Sequence, residues 1–162
     1  MPQDNPTLTP FAAGWAAYQG MLADTIAPLT PPQLGLRAAP AQRPAWLIAA
    51  HIVATRVGWF QGMMGEGEAT LAAYDPWDED GAPPRTAAEL VAGLDATWRM
   101  IQDGLDRWTP EDLVAPFVRQ RGDRTVTRAR GWVVWHVLEH DIHHGGELSL
   151  TLGIHGLPTP DM

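Results

Sequence analysis

Apolar side chains recur at helical spacing in four segments of the chain. In residues 11–29 they lie three and four positions apart, which predicts a helix with one apolar stripe. Residues 44–65 are apolar on almost every side, so we expect a helix that is buried on most faces. A capping box opens the third segment, residues 86–108, and the fourth runs from about residue 129 to residue 153.

Residues that break regular structure separate these segments. Four prolines from Pro31 to Pro44 prevent a continuous helix there. Residues 66–84 are rich in glycine, proline and acids, so we expect a long connection whose acids lie on a solvated surface. Residues 109–113 predict a capped turn, and residues 119–130, with five arginines and one acid, predict an irregular or weakly extended loop. Four long helices and no credible strand indicate an all-α fold, a four-helix bundle.

The composition narrows the classes of protein to which the chain can belong. Its 162 residues fit one domain, residues 1–162, and no apolar run approaches the roughly 20 residues that a membrane span needs. The first ten residues contain no basic side chain, so we expect no signal peptide and a cytoplasmic protein. A net charge of −8, with arginine as all 11 basic residues, disfavours nucleic acid as a partner. Because the chain has no cysteine, a metal must be bound by His, Asp or Glu.

Four of the six histidines lie within nine residues, in the sequence WHVLEHDIHHGGEL. On a helix that turns about 100° per residue, one face carries His136, His140, His143, His144 and Glu147. Two histidines at positions i and i+4 can bind one metal ion from a single helix. A third ligand must then come from another element.

His51 is the candidate third ligand, because it is the only other histidine inside a predicted helix and an imidazole among apolar neighbours needs a partner. We therefore predict that the metal ligands are His51, His140 and His144. The remaining polar residues of the face would orient the ligands, accept protons or face a substrate: His136, His143 and Glu147. Three nitrogen ligands on Zn²⁺, or on Ni²⁺ or Fe²⁺, leave coordination positions open for catalysis.

Other interpretations of the histidine cluster remain. His136, Glu139 and His140 match the HxxEH pattern of inverted zinc proteases, although only 22 residues follow His140 and Glu139 lies about 100° from it on the helix. A di-iron carboxylate centre is excluded because residues 44–65 contain no acid. The cluster can also be a polar surface stripe. The arginines of residues 119–130 belong either to a solvated loop or to an anion-binding site at the mouth of the bundle.

Three stretches together resemble the DinB superfamily, also called the DinB/YfiT-like metalloenzymes: AWLIAAHIVATRVGWF, TPEDL and GWVVWHVLEHDIHHGGELSLTLGIHG. The resemblance implies a four-helix bundle with a long crossover between its second and third helices, and a homodimer. It also implies a divalent metal held by three histidines, which match His51, His140 and His144. Characterised members resemble thiol-dependent transferases and isomerases that use mycothiol, bacillithiol or glutathione. The chain departs from the family at Gly145 and Gly146, where many members have Arg-Gly.

The expected function follows from the chemistry of a metal-bound thiolate. Zn²⁺ lowers the pKa of a bound thiol, which makes it nucleophilic at neutral pH. We expect His136 or His143 to move the proton and Glu147 to help bind the cofactor. Trp59, also a candidate for cofactor binding, would enclose an apolar electrophile together with Trp135. The leading hypothesis is a metal-dependent transferase that adds a low-molecular-weight thiol to small electrophiles in detoxification. The alternatives are a non-catalytic metal-binding stress-response protein and a metal-dependent hydrolase.

Overall fold

Helices make up most of the molecule. The computed structural model describes residues 8–160, apart from the side chain of Arg121. Its α-helices are α1 (Thr9–Ile26), α2 (Pro31–Leu34), α3 (Ala45–Val57), α4 (Ala87–Arg107), α5 (Pro110–Val114) and α6 (Arg130–Gly153). The four long predicted helices correspond to α1, α3, α4 and α6. Within residues 8–160, none of the helices combines the length and the apolar character that crossing a membrane requires.

Side-chain caps fix where two helices begin. The backbone N–H and the hydroxyl of Thr86 each donate to Glu89 Oε2 at 2.8 Å, and the Glu89 N–H donates to Thr86 Oγ1 at 3.3 Å. Thr109 and Asp112 make the same exchange at the start of α5. Such caps satisfy N–H groups that have no partner inside the helix. Both helix starts that the sequence predicts from these caps are confirmed.

The connection between α3 and α4 has structure of its own. α3 continues into a π-helical turn, Gly58–Met63, and a 3₁₀ segment, Ala69–Asp78, then packs against α3. Within this segment Trp77 is buried, and a Cβ atom at Gly93 on α4 would lie 2.9 Å from its ring. The connection is long, as predicted, but it covers α3 instead of forming a purely solvated surface.

A β-hairpin takes the place of the loop expected before α6. Strands β1 (Pro116–Arg121) and β2 (Arg124–Ala129) pair antiparallel around a two-residue turn, in which Gly122 has a φ of 63°. The sequence carries the signals: valine and threonine occur in the strands, and glycine begins the Gly-Asp turn, where a positive φ is required. The expectation of an irregular or weakly extended loop missed the pairing of these two strands, and the expectation of no strand is wrong. The chain is mostly, but not entirely, helical.

The apolar core consists of two clusters. α3 packs against α4 and α6, and α1 packs against α4. The first cluster includes Leu22, Ile48, Leu94 and Leu148. The second includes Trp15, Phe60, Ile101 and Val137. Each of the helices α1, α4 and α6 contributes to both clusters, and α3 reaches the second through its π-helical continuation.

A buried polar network lies along the helices between the two clusters, centred on Arg56 and Asp141, whose side chains are 0% exposed. Arg56 Nη2 donates to Asp141 Oδ2 at 2.8 Å, and Arg56 Nη1 donates to Gln19 Oε1 at 2.8 Å. Trp15 Nε1 donates to the same carboxylate oxygen at 2.8 Å. Arg56 Nη1 also lies 3.2 Å from the carbonyl oxygen of Leu94. α1, α3, α4 and α6 thus share one network in which each buried charge is paired, as burial demands.

Replacing Arg56 by Met should lower the free energy of unfolding by about 3–5 kcal/mol, because Asp141 would retain a buried charge without its cation. Urea denaturation of the metal-free protein measures the change. The control is Arg99→Met on the exposed side of α4, where we expect a change within about 0.5 kcal/mol. Equal stability of the two variants would contradict a stabilising role for the network.

Candidate metal centre

Three imidazoles from two helices meet at the edge of the core. His51 on α3 and His140 and His144 on α6 each offer one nitrogen, and these nitrogens lie within 4.8 Å of one another. The Nε2 atoms of His51 and His140 are 3.1 Å apart. Ring centroids are separated by 4.7 Å for His51 and His140, 4.6 Å for His51 and His144, and 4.3 Å for His140 and His144. The structure therefore brings together the three residues that the sequence predicts as ligands.

The buried network positions these rings. His140 directly precedes Asp141, and His51 lies five residues before Arg56, so the ion pair between the two helices holds their histidines at a fixed separation. His144 follows His140 by four residues and therefore lies one turn further along the same face of α6. His51 has the buried neighbours Ile48 and Ile52, but its own side chain is 21% exposed.

Carboxylates hold two of the three rings. Asp78 Oδ2 lies 2.5 Å from His51 Nδ1, and Glu147 Oε2 lies 2.8 Å from His144 Nδ1. An ionised carboxylate only accepts hydrogen bonds, so each Nδ1 atom donates its proton, and in the neutral ring the Nε2 atom then keeps a free electron pair. Carboxylates in this position orient metal-binding histidines and make them more basic. Asp78 was missed by the sequence analysis, since it lies in the acid-rich connection.

The surroundings of His140 strongly lower its pKa. Its Nε2 atom lies 3.3 Å from Thr55 Oγ1, and its Nδ1 atom is buried without a hydrogen-bond partner among the described residues. Burial, followed by the neighbouring imidazoles, lowers the pKa of His140 to about 3. Burial also lowers the pKa of His144, against the opposing hydrogen bond to Glu147. Both rings are therefore neutral at pH 7, the form that binds metal ions.

The donor set fits a divalent transition metal. With Zn–N bonds of about 2.0–2.1 Å, two ligand nitrogens are about 3.3 Å apart at a tetrahedral angle and about 2.9 Å apart at a right angle. The distance of 3.1 Å between His51 Nε2 and His140 Nε2 lies between these values. Imidazole nitrogens suit zinc, nickel and iron, whereas magnesium and calcium prefer oxygen ligands.

The other predicted site residues surround the three imidazoles. The ring of His136 is 6.4 Å from that of His140 and 4.8 Å from that of Trp59. His143 is exposed, and its ring centroid lies 4.8 Å from that of His144. His136 and His143 are thus next to the cluster of three and do not belong to it.

Trp132, and not Trp135, forms the aromatic wall beside Trp59. The Trp132 ring stacks on His136 with centroids 4.9 Å apart and planes at 15°, and it lies 5.5 Å from the Trp59 ring. Trp135 is 60% exposed, because it lies about 140° around the helix from His140. The expectation for Trp135 is therefore wrong. A signal for Trp132 was present in the sequence, since it precedes His136 by four residues, the spacing that also separates His140 from His144.

Two depressions border the cluster. A cavity of about 310 Å³ is lined by residues next to His51 and His140, among them Thr55, Trp59, Met63 and Asp78. A wider depression of about 570 Å³ is lined by Arg43, His143, His144 and Glu147. The candidate centre can therefore be approached from two sides.

A mainly helical protein with three imidazoles converging from two helices defines a class of candidate metalloproteins. The chain belongs to the DinB superfamily, whose sequence model matches residues 15–148, a range that includes all three imidazoles. The crystal structure of a DinB-like protein from Bacillus cereus ATCC 10987 superposes with a TM-score of 0.66 over 94% of this chain and 95% of that chain. Its sequence identity of 21% limits this likeness to the fold. No curated protein sequence is significantly similar to the chain.

Asp78→Asn should weaken metal binding about 10- to 100-fold, because the amide no longer draws the proton onto His51 Nδ1. Competition with a chromogenic chelator measures the affinity. Asp75→Asn is the matched control, since Asp75 lines the same cavity without contacting an imidazole, and we expect it to bind metal normally. Full metal content in a His140→Ala/His144→Ala double variant would refute the assigned ligands.

The metal-free protein should become less stable as the pH falls from about 6.5 towards 3. In this window the unfolded imidazole of His140 takes up a proton, whereas the folded one, with its pKa lowered to about 3, stays neutral. The unfolded state therefore binds more protons, and the free energy of unfolding decreases with decreasing pH. His140→Gln should have a shallower dependence in urea denaturation between pH 7 and pH 4. Identical slopes for the two proteins would contradict this assignment.

Proposed function

We propose that the chain is a divalent-metal-dependent transferase that joins a low-molecular-weight thiol to a small electrophile. The observation that carries the proposal is the cluster of His51, His140 and His144, with Nε2 lone pairs left free by two carboxylates, beside a partly aromatic cavity. Because the chain contains no cysteine, a thiol nucleophile must come from a cosubstrate. Zinc is the metal we propose, with nickel and iron as alternatives.

A bound divalent metal would lower the pKa of the cosubstrate thiol, so that a thiolate is present at neutral pH. His143 is exposed next to His144 and accepts the thiol proton in this proposal. His136, stacked on Trp132 and in edge-on contact with Trp59, is the second candidate for moving a proton. Trp59 packs against the apolar part of a ligand, and Glu147 contributes to cofactor binding from the wider depression.

The proposal extends to the assembly of the molecule. We take residues 1–162 as one domain, with α1, α3, α4 and α6 as a four-helix bundle and residues 64–86 as its long crossover. Trp135 and Ile142, exposed on α6, support a homodimer, and the molar mass in solution tests it. A cytoplasmic location suits the chemistry, because thiols are kept reduced there.

The geometry does not favour a hydrolase of the HxxEH type. Such an enzyme would need Glu139 beside metal-bound water, but the Glu139 side chain is 52% exposed, and its Oε2 lies 3.6 Å from His136 Nδ1. The His136 ring, which would be the other ligand in this pattern, packs against Trp132, and its centroid lies 6.4 Å from that of His140.

Cobalt substitution tests the proposal directly. When Co²⁺ replaces the native metal, the cognate thiol should produce a sulfur-to-metal charge-transfer band in the near ultraviolet, because the thiolate enters an open coordination position. Mycothiol, bacillithiol and glutathione are added in turn, and conjugation to a generic electrophile is followed in parallel. A band without conjugation would indicate a non-catalytic metal-binding protein.

Glu139→Gln provides the control for the competing chemistry. A general base contributes about 10²- to 10⁴-fold to a rate, so a hydrolase would lose nearly all activity with this change. We expect a mild effect together with an intact thiol band. A metal-loaded Glu139→Gln protein without activity would overturn the transferase proposal in favour of metal-activated water.

A further inference from the structure

One face of the β-hairpin is rich in arginine and turned towards the helices. In an antiparallel ladder, paired residues and alternate residues along a strand point to the same side. Phe117 pairs with Arg128, and Arg119 pairs with Val126, so these four side chains share one face. Phe117 is partly buried against the second apolar cluster. The face that carries Arg119 and Arg128 is therefore the face nearest to the bundle.

Contacts connect the two arginines to residues that line the smaller cavity. Arg119 Nε donates to the carbonyl oxygen of Met63 at 2.6 Å, and Met63 lines the cavity. The Arg128 guanidinium lies 4.6 Å from the centroid of the Trp132 ring, which in turn contacts Trp59. Arg119 thus contacts the lining of the cavity directly, and Arg128 is linked to it through Trp132 and Trp59.

Most hydrogen-bond donors of these arginines are available to a ligand. Arg128 Nη1 donates to the carbonyl oxygen of Thr127 at 2.9 Å, and neither Arg119 nor Arg128 pairs with a carboxylate within the part of the chain that the structure describes. Both side chains are exposed. A stacked guanidinium with unpaired N–H groups is well suited to recognising a carboxylate through two parallel hydrogen bonds. This concentration of cations contrasts with the net charge of −8 of the whole chain.

The cavity has opposite polarity at its two ends. Thr55 and Asp78 lie at the inner end, next to the imidazoles, and Asp75 adds a second carboxylate to the lining. From Thr55 to Met63 there are eight residues, or roughly 12 Å along the helix. Like charges repel an anionic group from the aspartates, and the arginines attract it to the outer end. The arginines therefore favour the orientation in which the anionic end of a ligand lies at the outer end of the cavity.

We propose that Arg128 and Arg119, with Trp59 and Trp132, form a binding site for the anionic group of a small organic acid. The acid has an apolar middle and is about 12 Å long or shorter, and its far end reaches the three imidazoles. The inference deepens the proposed function, because that far end is the electrophilic one in the transfer reaction. The anion site itself is defined by the hairpin and can be tested without any turnover.

The test compares the binding of 4-phenylbutyrate and its neutral amide, 4-phenylbutyramide, to the zinc-loaded protein. Indole N–H signals of Trp59 and Trp132 report binding in NMR spectra, and Trp→Phe variants assign them. We expect the carboxylate to bind at least fivefold more tightly than the amide, as a charge-assisted hydrogen bond predicts. Arg128→Gln should abolish this preference, and Arg128→Lys should retain part of it.

Arg124→Gln is the matched control in the same hairpin. It removes the same charge four residues from Arg128, about 13 Å along the strand, and we expect less than a twofold change in affinity. A carboxylate preference that survives Arg128→Gln, as it would if zinc held the carboxylate, overturns the proposal, and so does equal binding of the two probes. Because no thiol enters the measurement, a failure of thiol transfer would leave this result standing.

Discussion

The ion pair between Arg56 and Asp141 determines how the long helices meet. Both charges are completely buried, and their hydrogen bonds are satisfied in one relative arrangement of α1, α3, α4 and α6. A rotation of α6 by one residue, about 100°, would turn Asp141 away from Arg56 and leave both charges unpaired. His140 and His51 lie close to the two partners along their helices. The contact that orders the core therefore also decides which imidazoles face each other at its edge.

The connection between α3 and α4 is part of the candidate centre, not a spacer. Its 3₁₀ segment buries Trp77 against the core, and the next residue, Asp78, contacts His51. Packing of the Trp77 indole thereby holds the Asp78 carboxylate next to Nδ1 of His51, while Nε2 of the same ring faces the other imidazoles. The hairpin contributes Arg128, whose guanidinium lies over the Trp132 ring of the aromatic wall. The connection thus supplies a carboxylate to one imidazole, and the hairpin supplies a cation to the aromatic wall beside them.

The sequence predicted the long helices and the histidine pair from local spacing, although it missed the hairpin, whose signals were also local. Helical periodicity and the Thr86 cap located α4 to within a residue, and the i, i+4 pair His140 and His144 indicated metal binding. The contact between His51 and Asp78 joins residues that are 27 positions apart, so no local pattern could reveal it. The partner of Arg56 lies 85 positions away. An arginine in a mostly apolar helix needs a partner when it is buried, but nothing in the sequence singles out Asp141 from the other acids of the chain.

The residues of the buried network stabilise the fold, whereas the three imidazoles at the edge of the core would bind the metal. The three imidazoles lie outside both apolar clusters. The contribution of α6 to the buried ion pair comes from Asp141. A change of ligand type would alter the preferred metal, while the residues of the apolar clusters and the pair of Arg56 and Asp141 stayed the same. Proteins that descend from this fold can therefore acquire a new metal or reaction through single substitutions among the ligands. Such substitutions leave the residues that stabilise the fold unchanged.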